Sequence, residues 1–359
     1  MHLDDHPHRS AGAAAHSSLY LRDAPRGDHH YVEYAAHAPA ATAYHRAEWL
    51  DAVEDGFDLT CYRLLAERHR HPVGILPLAH VRSMLFGNYL VSAPFGNFGG
   101  IAADDAEVEQ ALFERAAALA GELGCRWIEF RHVDAHALPL AEHTRKVRQI
   151  VTFPSSAEAM WEKLDKQMRK HVRKAEKSGL TCEFADREGL DDFYSVFARN
   201  MRDLGTPVYS KRFFQALWDN MPDALKIVTV RLDEAPIASL MLMSFRKQLE
   251  SPWASSLREY NHLCPNNLMF WEVFKYAIAR GYECYDFGTS DRGGGVYTFK
   301  KQWGAKEYEL HRQFWLAPGQ EMPHLNPSNP RYAARIRQWQ RLPLWLANLV
   351  GPILSRKLP

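Results

Sequence analysis

Residues 64–78, "LLAERHRHPVGILPL", lie on residues 228–242, "VTVRLDEAPIASLML", without a gap. Pro72 falls on Pro236, Val73 on Ile237 and Leu76 on Leu240. Further along each half, "GCRWIEFR" from Gly124 falls on "GYECYDFG" from Gly281, so Glu129 and Phe130 match Asp286 and Phe287. Each glycine closes a helix before a buried strand, where a residue tolerant of positive φ is needed. A repeat of this length restricts the fold more than any single motif, because it requires two copies of one unit. Periodicity supplies the order within each copy. The first has strands near 31–36, 60–67, 73–82 and 86–91, the loop "SAPFGNFGG", a helix near 105–123 and the strand "RWIEFR". The second has strands near 225–232, 236–246 and 249–255, a loop with Pro265, a helix near 267–280 and a strand ending at Asp286.

Helices near 189–204 and 210–220 precede the second set of strands. Three strands able to pair antiparallel, then a helix and a returning strand, resemble the GNAT acyltransferase fold more than a dinucleotide-binding one. The expected class is therefore α/β (α+β), two tandem GNAT-like domains arising by duplication. The domains are placed at 29–153 and 154–318, after a disordered leader at 1–28 and before a basic amphipathic tail at 319–359. A chain of 359 residues, 46% of them hydrophobic, can bury two cores. Its 44 Lys and Arg nearly balance 43 Asp and Glu, so a polyanion would meet a local patch and not the whole surface. Five scattered cysteines with no CxxC pair suit a reducing cytosol and suggest neither a disulfide framework nor a zinc site. The leader has no sustained apolar run, and its His2, His6 and His8 read as tail residues; His132 and His136 lack a supporting carboxylate helix, so no metal is expected.

Two basic segments stand out. "SSAEAMWEKLDKQMRKHVRKAEKSGL" reads as one helix capped by Ser155 or Ser156 and ended by Gly179. Lys166, Arg169, Lys170, Arg173, Lys174 and Lys177 share one side of it, while Met160, Leu164, Met168 and Val172 face the core. The stripe suits either solvent or a phosphate-bearing partner, with Lys170, Arg173 and Lys174 as the candidate contacts. At the C-terminus, Arg331, Arg335, Arg337 and Arg341 precede an apolar run from Leu344 to Leu354 that is too short to span a bilayer. It suits a membrane surface or docking on the protein body, and Pro343, Gly351 and Pro352 are expected to interrupt a continuous helix.

The segment "YDFGTSDRGGGVYTFKKQWG", residues 285–304, is the leading site candidate. No GK[ST] follows the glycines and no later glycine completes GxGxxG, so neither phosphate-loop motif applies. The loop leaves the carboxyl end of a central strand and enters a helix, where ligands of open α/β sheets gather. With Phe299 and Trp303 on the buried side, ~100° per residue puts Lys301 towards solvent and Lys300 at the boundary, able to reach a cleft. A partly buried ammonium there suits an anion or a carbonyl oxygen gaining charge.

These residues, with "MRKHVRKAEKSGL", "GTPVYSKRFF", "PNNLMFWE" and "NPRYAARIRQWQRLPLWLANLVGP", resemble the FemAB-like acyltransferases, in the branch associated with exosortase and PEP-CTERM exopolysaccharide systems. The resemblance runs from about residue 30 to the C-terminus. It implies transfer of an acyl or aminoacyl group, from acyl-CoA or charged tRNA, to an amine on a lipid- or nucleotide-linked glycan or peptide precursor. Phe299 and Lys300 match the family's FK pair, whose lysine is implicated in transfer. Direct attack by the amine needs no protein nucleophile, which agrees with the lack of a nucleophile elbow. Lys300 would stabilise the oxyanion, and Asp286 or Tyr209 would accept the amine proton. Gly293, Gly294 and Gly295, with Ser290, Arg292, Tyr297, Phe299 and Trp303, would line the substrate site. The expected location is cytoplasmic, at the inner face of the membrane. The competing expectation is a scaffold that keeps the fold, has lost the chemistry and acts at the membrane surface in polysaccharide assembly.

Overall fold

The structure, a computed structural model, describes residues 19–83, 87–143, 146–323 and 330–357; the leader histidines His2, His6 and His8 and the side chain of Arg331 lie outside what it describes. In chain order the strands begin with β1 (Leu19–Asp23), β2 (Thr60–Arg68), β3 (His71–Ser83), β4 (Gly87–Ser92), a short β5 (Ala102–Ala103), β6 (Trp127–His132) and β7 (Ala141–His143). They continue with β8 (Lys146–Thr152), β9 (Leu180–Ala185), β10 (Leu225–Leu232), β11 (Ala235–Phe245), β12 (Gln248–Ser256), β13 (Cys284–Asp291), β14 (Lys306–Glu309) and β15 (His311–Leu316).

Two sheets form, ordered β1-β2-β3-β4-β6-β15-β7, with β5 pairing β3, and β9-β10-β11-β12-β13-β8-β14. Position by position they are the same sheet. In both, the pairing register slips one residue before the hairpin's proline, at Ala66/Glu67 opposite Pro72 and at Val230/Arg231 opposite Pro236. Proline has no N–H to give the ladder, so a bulge is where a strand tolerates it. The central pair is parallel in both, Val91 facing Glu129 and Glu250 facing Asp286, and it holds for only three residues before the strands diverge.

The repeat also exchanges strands. β7 stays in the first sheet while β8 crosses to the second, and β14 stays in the second while β15 returns to the first. The boundaries expected at 153 and 318 therefore do not separate the domains, and β1 puts residues 19–23 in the first sheet and not in a leader. Each crossing strand carries an arginine onto the acidic residue of the other copy's central strand. Arg312 Nη1 lies 2.8 Å from Glu129 Oε1, and Arg148 Nε lies 2.6 Å from Asp286 Oδ2. Both carboxylates are fully buried, so each needs cationic compensation, and the crossing arginine supplies it in both copies.

The helices are α1 (His29–His37), α2 (Ala47–Phe57), α3 (Ala106–Glu122), α4 (Ala157–Lys163), α5 (Lys166–Lys177), α6 (Leu190–Leu204), α7 (Lys211–Asn220), α8 (Pro265–Ala279), α9 (Gly295–Gln302), α10 (Pro330–Gln340) and α11 (Leu344–Ser355). Three differ from expectation. α1 replaces the strand at 31–36, because Asp28 caps the Tyr31 N–H and Tyr31, Tyr34 and Ala35 bury at helical spacing. The basic helix is two helices, because Leu164 is extended and the Asp165 side chain caps a new start at the Met168 N–H. α11 runs through Gly351 and Pro352, with Pro343 just before its first turn.

Neighbouring residues of the second sheet pack on opposite faces. Val228, Leu240, Leu242 and Leu249 bury against α5, α8 and Trp303, whereas Ile227, Met241, Met243 and Trp253 bury against α6 and α7. The second layer continues without interruption into the first domain: Trp49 stacks on Trp253, and Phe57 packs on Phe213. A shared aromatic core fixes the two sheets relative to one another, and a cleft lies along their seam.

Candidate active site at the domain seam

The cleft opens where β12 and β13 diverge beyond Glu250 and Asp286. Pro252, Trp253, Ala254 and Ser255 form one wall and Thr289 stands on the other strand. The first domain contributes Phe95, Gly96 and Asn97, and Phe197, Asn200, Met201, Leu204 and Tyr209 come from α6 and the segment after it. The cavity is about 360 Å³, within the range of small-molecule sites. A second cavity, about 440 Å³, lies between Phe57, Tyr62, His80, Arg82 and the C-terminal Arg356 and Lys357, and is lined by neither Thr289 nor Lys146. The seam is therefore the better candidate.

Its charge is positive. Arg131, Lys146 and Arg312 line it. Arg131 and Arg312 share the buried Glu129, at 3.2 and 2.8 Å from its Oε1. Burial opposes the Glu129 charge, but the two guanidiniums outweigh it and hold the carboxyl below its ordinary value. Burial, followed by repulsion from Arg312, pulls Lys146 down to about 8.

Lys300 approaches from behind Thr289. It is 7% exposed, and its ammonium donates to the Thr289 carbonyl at 2.9 Å. Burial pulls it down to about 8; Asp286 opposes that shift and Lys146 adds to it. Lys301, one residue on, is exposed above the Tyr297 ring. One lysine lowered to about 8 thus lines the cleft and a second, also lowered to about 8, bonds the backbone of a residue that lines it, an arrangement found where a protein manages proton transfer or anionic charge.

Other expected site residues are placed differently. Asp286 is fully buried with both oxygens engaged, Oδ2 by Arg148 and Oδ1 by the Gly288 N–H at 2.7 Å, so no acceptor amine reaches it. Its neighbour Glu250 accepts from the Tyr44 hydroxyl at 2.7 Å, and its carboxyl is raised by burial and then by Asp286. Gly288 has φ +68°, and a Cβ there would lie 2.8 Å from Asn97 Nδ2, so glycine lets the two domains close at this point. Tyr209 does line the cleft, but burial raises its phenol above the ordinary value, which suits a hydrogen-bonding wall and not a base.

The glycine loop belongs to the outer surface. β13 continues to Asp291, five residues past Asp286, and Gly293 and Gly295 are exposed with Gly294 half-buried; none of the three lines the cleft. Arg292 pairs with Glu307 and Glu309 of β14, and the Tyr297 hydroxyl donates to Glu307 at 2.6 Å. The Ser290 hydroxyl donates to Gln149 at 2.9 Å, and Gln149 donates to the Tyr297 carbonyl at 3.2 Å. These contacts fasten α9 to β8 and β14, which fixes where Lys300 points. Phe299 and Trp303 pack on Phe270, and Trp303 is fully buried, so both are core residues and not substrate contacts. Lys170, Arg173 and Lys174 are exposed on α5, across the second sheet from α6, and none lines the cleft. Lys146, Arg131 and Arg312 had no local sequence signal; the only available clue was that "RWIEFR" puts Arg131 two residues after Glu129 in the repeated strand.

The family model described as an acetyltransferase (GNAT) domain matches residues 162–301, which include β9 to β13 and most of α9. The lipid II:glycine glycyltransferase of Staphylococcus aureus (strain USA300) is 23% identical over 212 residues, 55% of this chain and 44% of that protein. The chain thus matches less than half the length of that curated relative. Among solved structures, FemX superposes with a TM-score of 0.64 at 16% identity, covering 81% of this chain and 96% of that one. A tandem GNAT protein from the clavulanic acid biosynthesis pathway gives 0.55 at 10% identity, covering 84% and 98%. The fold is that of tandem GNAT domains.

Proposed function

We propose that the chain is an acyltransferase of the FemAB-like kind. It would pass an acyl or aminoacyl group to a primary amine on an anionic, lipid- or nucleotide-linked glycan or peptide precursor, in cell-envelope or exopolysaccharide synthesis at the cytoplasmic face of the membrane. The observation that carries this reading is the seam cleft, cationic through Arg131 and Arg312, with Lys146 beside them and the Lys300 ammonium bonded to the carbonyl of Thr289, a residue that lines it. Clustered cations suit a phosphate-bearing substrate. In the transfer step the amine nitrogen forms a bond to the donor carbonyl carbon. The carbonyl π electrons move to oxygen, Lys300 stabilises that charge, and collapse breaks the bond to a thiolate of coenzyme A or a hydroxyl oxygen of tRNA. The nitrogen's surplus proton passes to neutral Lys146 and from there to the leaving group.

The sign of the pH dependence follows. Proton acceptance needs neutral Lys146 and stabilisation of the oxyanion needs protonated Lys300, and both sit at about 8, so transfer is expected to peak near pH 8, with an ascending limb from Lys146 and a descending limb from Lys300. In Lys300→Arg the side chain keeps its proton throughout that range. A descending limb that vanishes in this variant assigns it to Lys300; a limb that survives unchanged removes Lys300 from the step.

The donor class is tested through α5. A polyanion such as charged tRNA can reach the stripe of Lys170, Arg173 and Lys174 as well as the cleft, whereas coenzyme A is small enough for the cleft alone. Replacing all three with Gln is expected to weaken tRNA binding and flatten its salt dependence by about two to three counterions, with acyl-CoA binding unchanged. Calorimetric titration of both donors reads this directly. If both titrations match wild type at low salt, α5 is a solvated face and the donor is met only in the cleft.

A further inference from the structure

The C-terminal helices are fixed on one side and open on the other. A Cβ on Gly205 would lie 2.4 Å from Ile336 of α10, and one on Gly351 would lie 2.9 Å from Val208, so both contacts are as close as glycine permits. The Arg202 guanidinium donates to the Leu342 carbonyl at 3.0 Å, and Gln340 donates to the Asp203 carbonyl at 3.1 Å. Ala347, Gly351 and Ser355, spaced by four, are the buried row of α11. At ~100° per residue the row opposite is Trp345, Leu349 and Ile353. These three are 68%, 63% and 53% exposed.

A large apolar row facing solvent on a helix this firmly seated calls for a partner. Charge indicates which kind. Arg335 and Arg337 on α10 and Arg341 just before α11 are exposed, and no Asp or Glu follows Glu321 in the chain. None of these three arginines has an ion-pair partner among the described residues. A second copy of the same surface would bring like charges together, whereas an anionic bilayer offers phosphates to the arginines and a headgroup boundary to tryptophan. Among the described residues no helix is long and apolar enough to cross a membrane, so the contact would lie on the surface.

We infer that the outer face of α10 and α11 seats the protein on an anionic lipid surface, with Trp345, Leu349 and Ile353 entering the headgroup region and Arg335, Arg337 and Arg341 meeting lipid phosphate. The helices rest on α6 and the segment that follows it, which also contributes Met201, Leu204 and Tyr209 to the cleft. The surface contact therefore sets the cleft beside the membrane. Lipid binding stands without the acyl-transfer reading; delivery of a lipid-linked acceptor to the cleft rests on it.

Flotation of the full chain with vesicles tests the inference, using pure phosphatidylcholine and phosphatidylcholine mixed with phosphatidylglycerol. Wild type is expected to float with the mixed vesicles. The combined change Trp345→Ser, Leu349→Ser and Ile353→Ser should lower binding by about tenfold or more. Changing Arg335, Arg337 and Arg341 to Gln should lower it on the order of a hundredfold on the anionic vesicles only. Both variants should keep turnover with a soluble nucleotide-linked acceptor, whereas Lys300→Met should keep flotation and lose turnover. Failure of wild type to float on anionic vesicles, or flotation of the serine variant equal to wild type, overturns the inference. Conversion of a wild-type dimer to monomer by the serine changes, with flotation unaltered, would assign the row to a second copy instead.

Discussion

Lys300→Met is expected to lower the transfer rate by about 10²–10³-fold, the usual cost of removing one donor from an oxyanion site. The fold should survive, because methionine fills a similar volume and the lysine it replaces is charged at a cost. The folded-state value of about 8 lies below the ordinary 10.5. Between these values the unfolded chain holds a proton that the native protein does not, so native stability from this group rises with pH across that window and is least below about pH 8. Lys300→Met should therefore be at least as stable as wild type at neutral pH, with the difference shrinking towards pH 10. A thermal denaturation series at several pH values checks this independently of activity. Loss of stability together with loss of activity would mean that the Thr289 contact holds the fold and that the kinetic effect is indirect.

The largest stability effect is expected at Arg148, and it concerns the strand exchange. Arg148→Met leaves the fully buried Asp286 without its cation, and breaking a buried pair from one side costs about 3–5 kcal/mol. The Gly288 N–H and the more distant Lys300 ammonium, which makes no hydrogen bond to Asp286, do not replace that ion pair, and the raised carboxyl of Glu250 beside it offers no positive charge. Adding Asp286→Asn to Arg148→Met should recover a substantial part of the loss, because the double variant no longer buries a lone charge. Denaturant unfolding of the two single variants and the double variant completes the cycle. Additive losses would show that the pair is not coupled across the exchanged strand.

The repeat was legible because it is local. Pro72 and Pro236 mark the same bulge, and Glu129 and Asp286 occupy the same position of the same strand. Periodicity also separates Lys300 from Lys301, since the ~100° step between adjacent residues is a property of one helix. The exchange of β8 and β15 was not legible, because nothing within "KVRQIVT" or "HRQFWL" says which of two equivalent sheets will accept the strand. Everything built on that exchange was hidden with it: Lys146 and Arg148 reach the second sheet from the first half, and Arg312 returns to the first. The sequence offers Asp286 as a base for the same reason, since its cation lies 138 residues away in sequence. The glycine loop plays a smaller part than its composition suggests. Composition marked it as unusual, but its backbone faces solvent and its side chains tie α9 in place, so its effect on the site is exerted through the position of Lys300.

The most direct test of the central proposal is a mass-spectrometric assay of transfer. It would offer wild type and Lys300→Met an acyl-CoA or a charged tRNA together with an amine-bearing, nucleotide-linked glycopeptide. The expected result is an acceptor heavier by the acyl or aminoacyl group, with equal release of free coenzyme A or uncharged tRNA, and near loss of both in the variant. Binding of the anionic acceptor with no product from either donor class would contradict it and leave a GNAT-fold scaffold at the membrane surface.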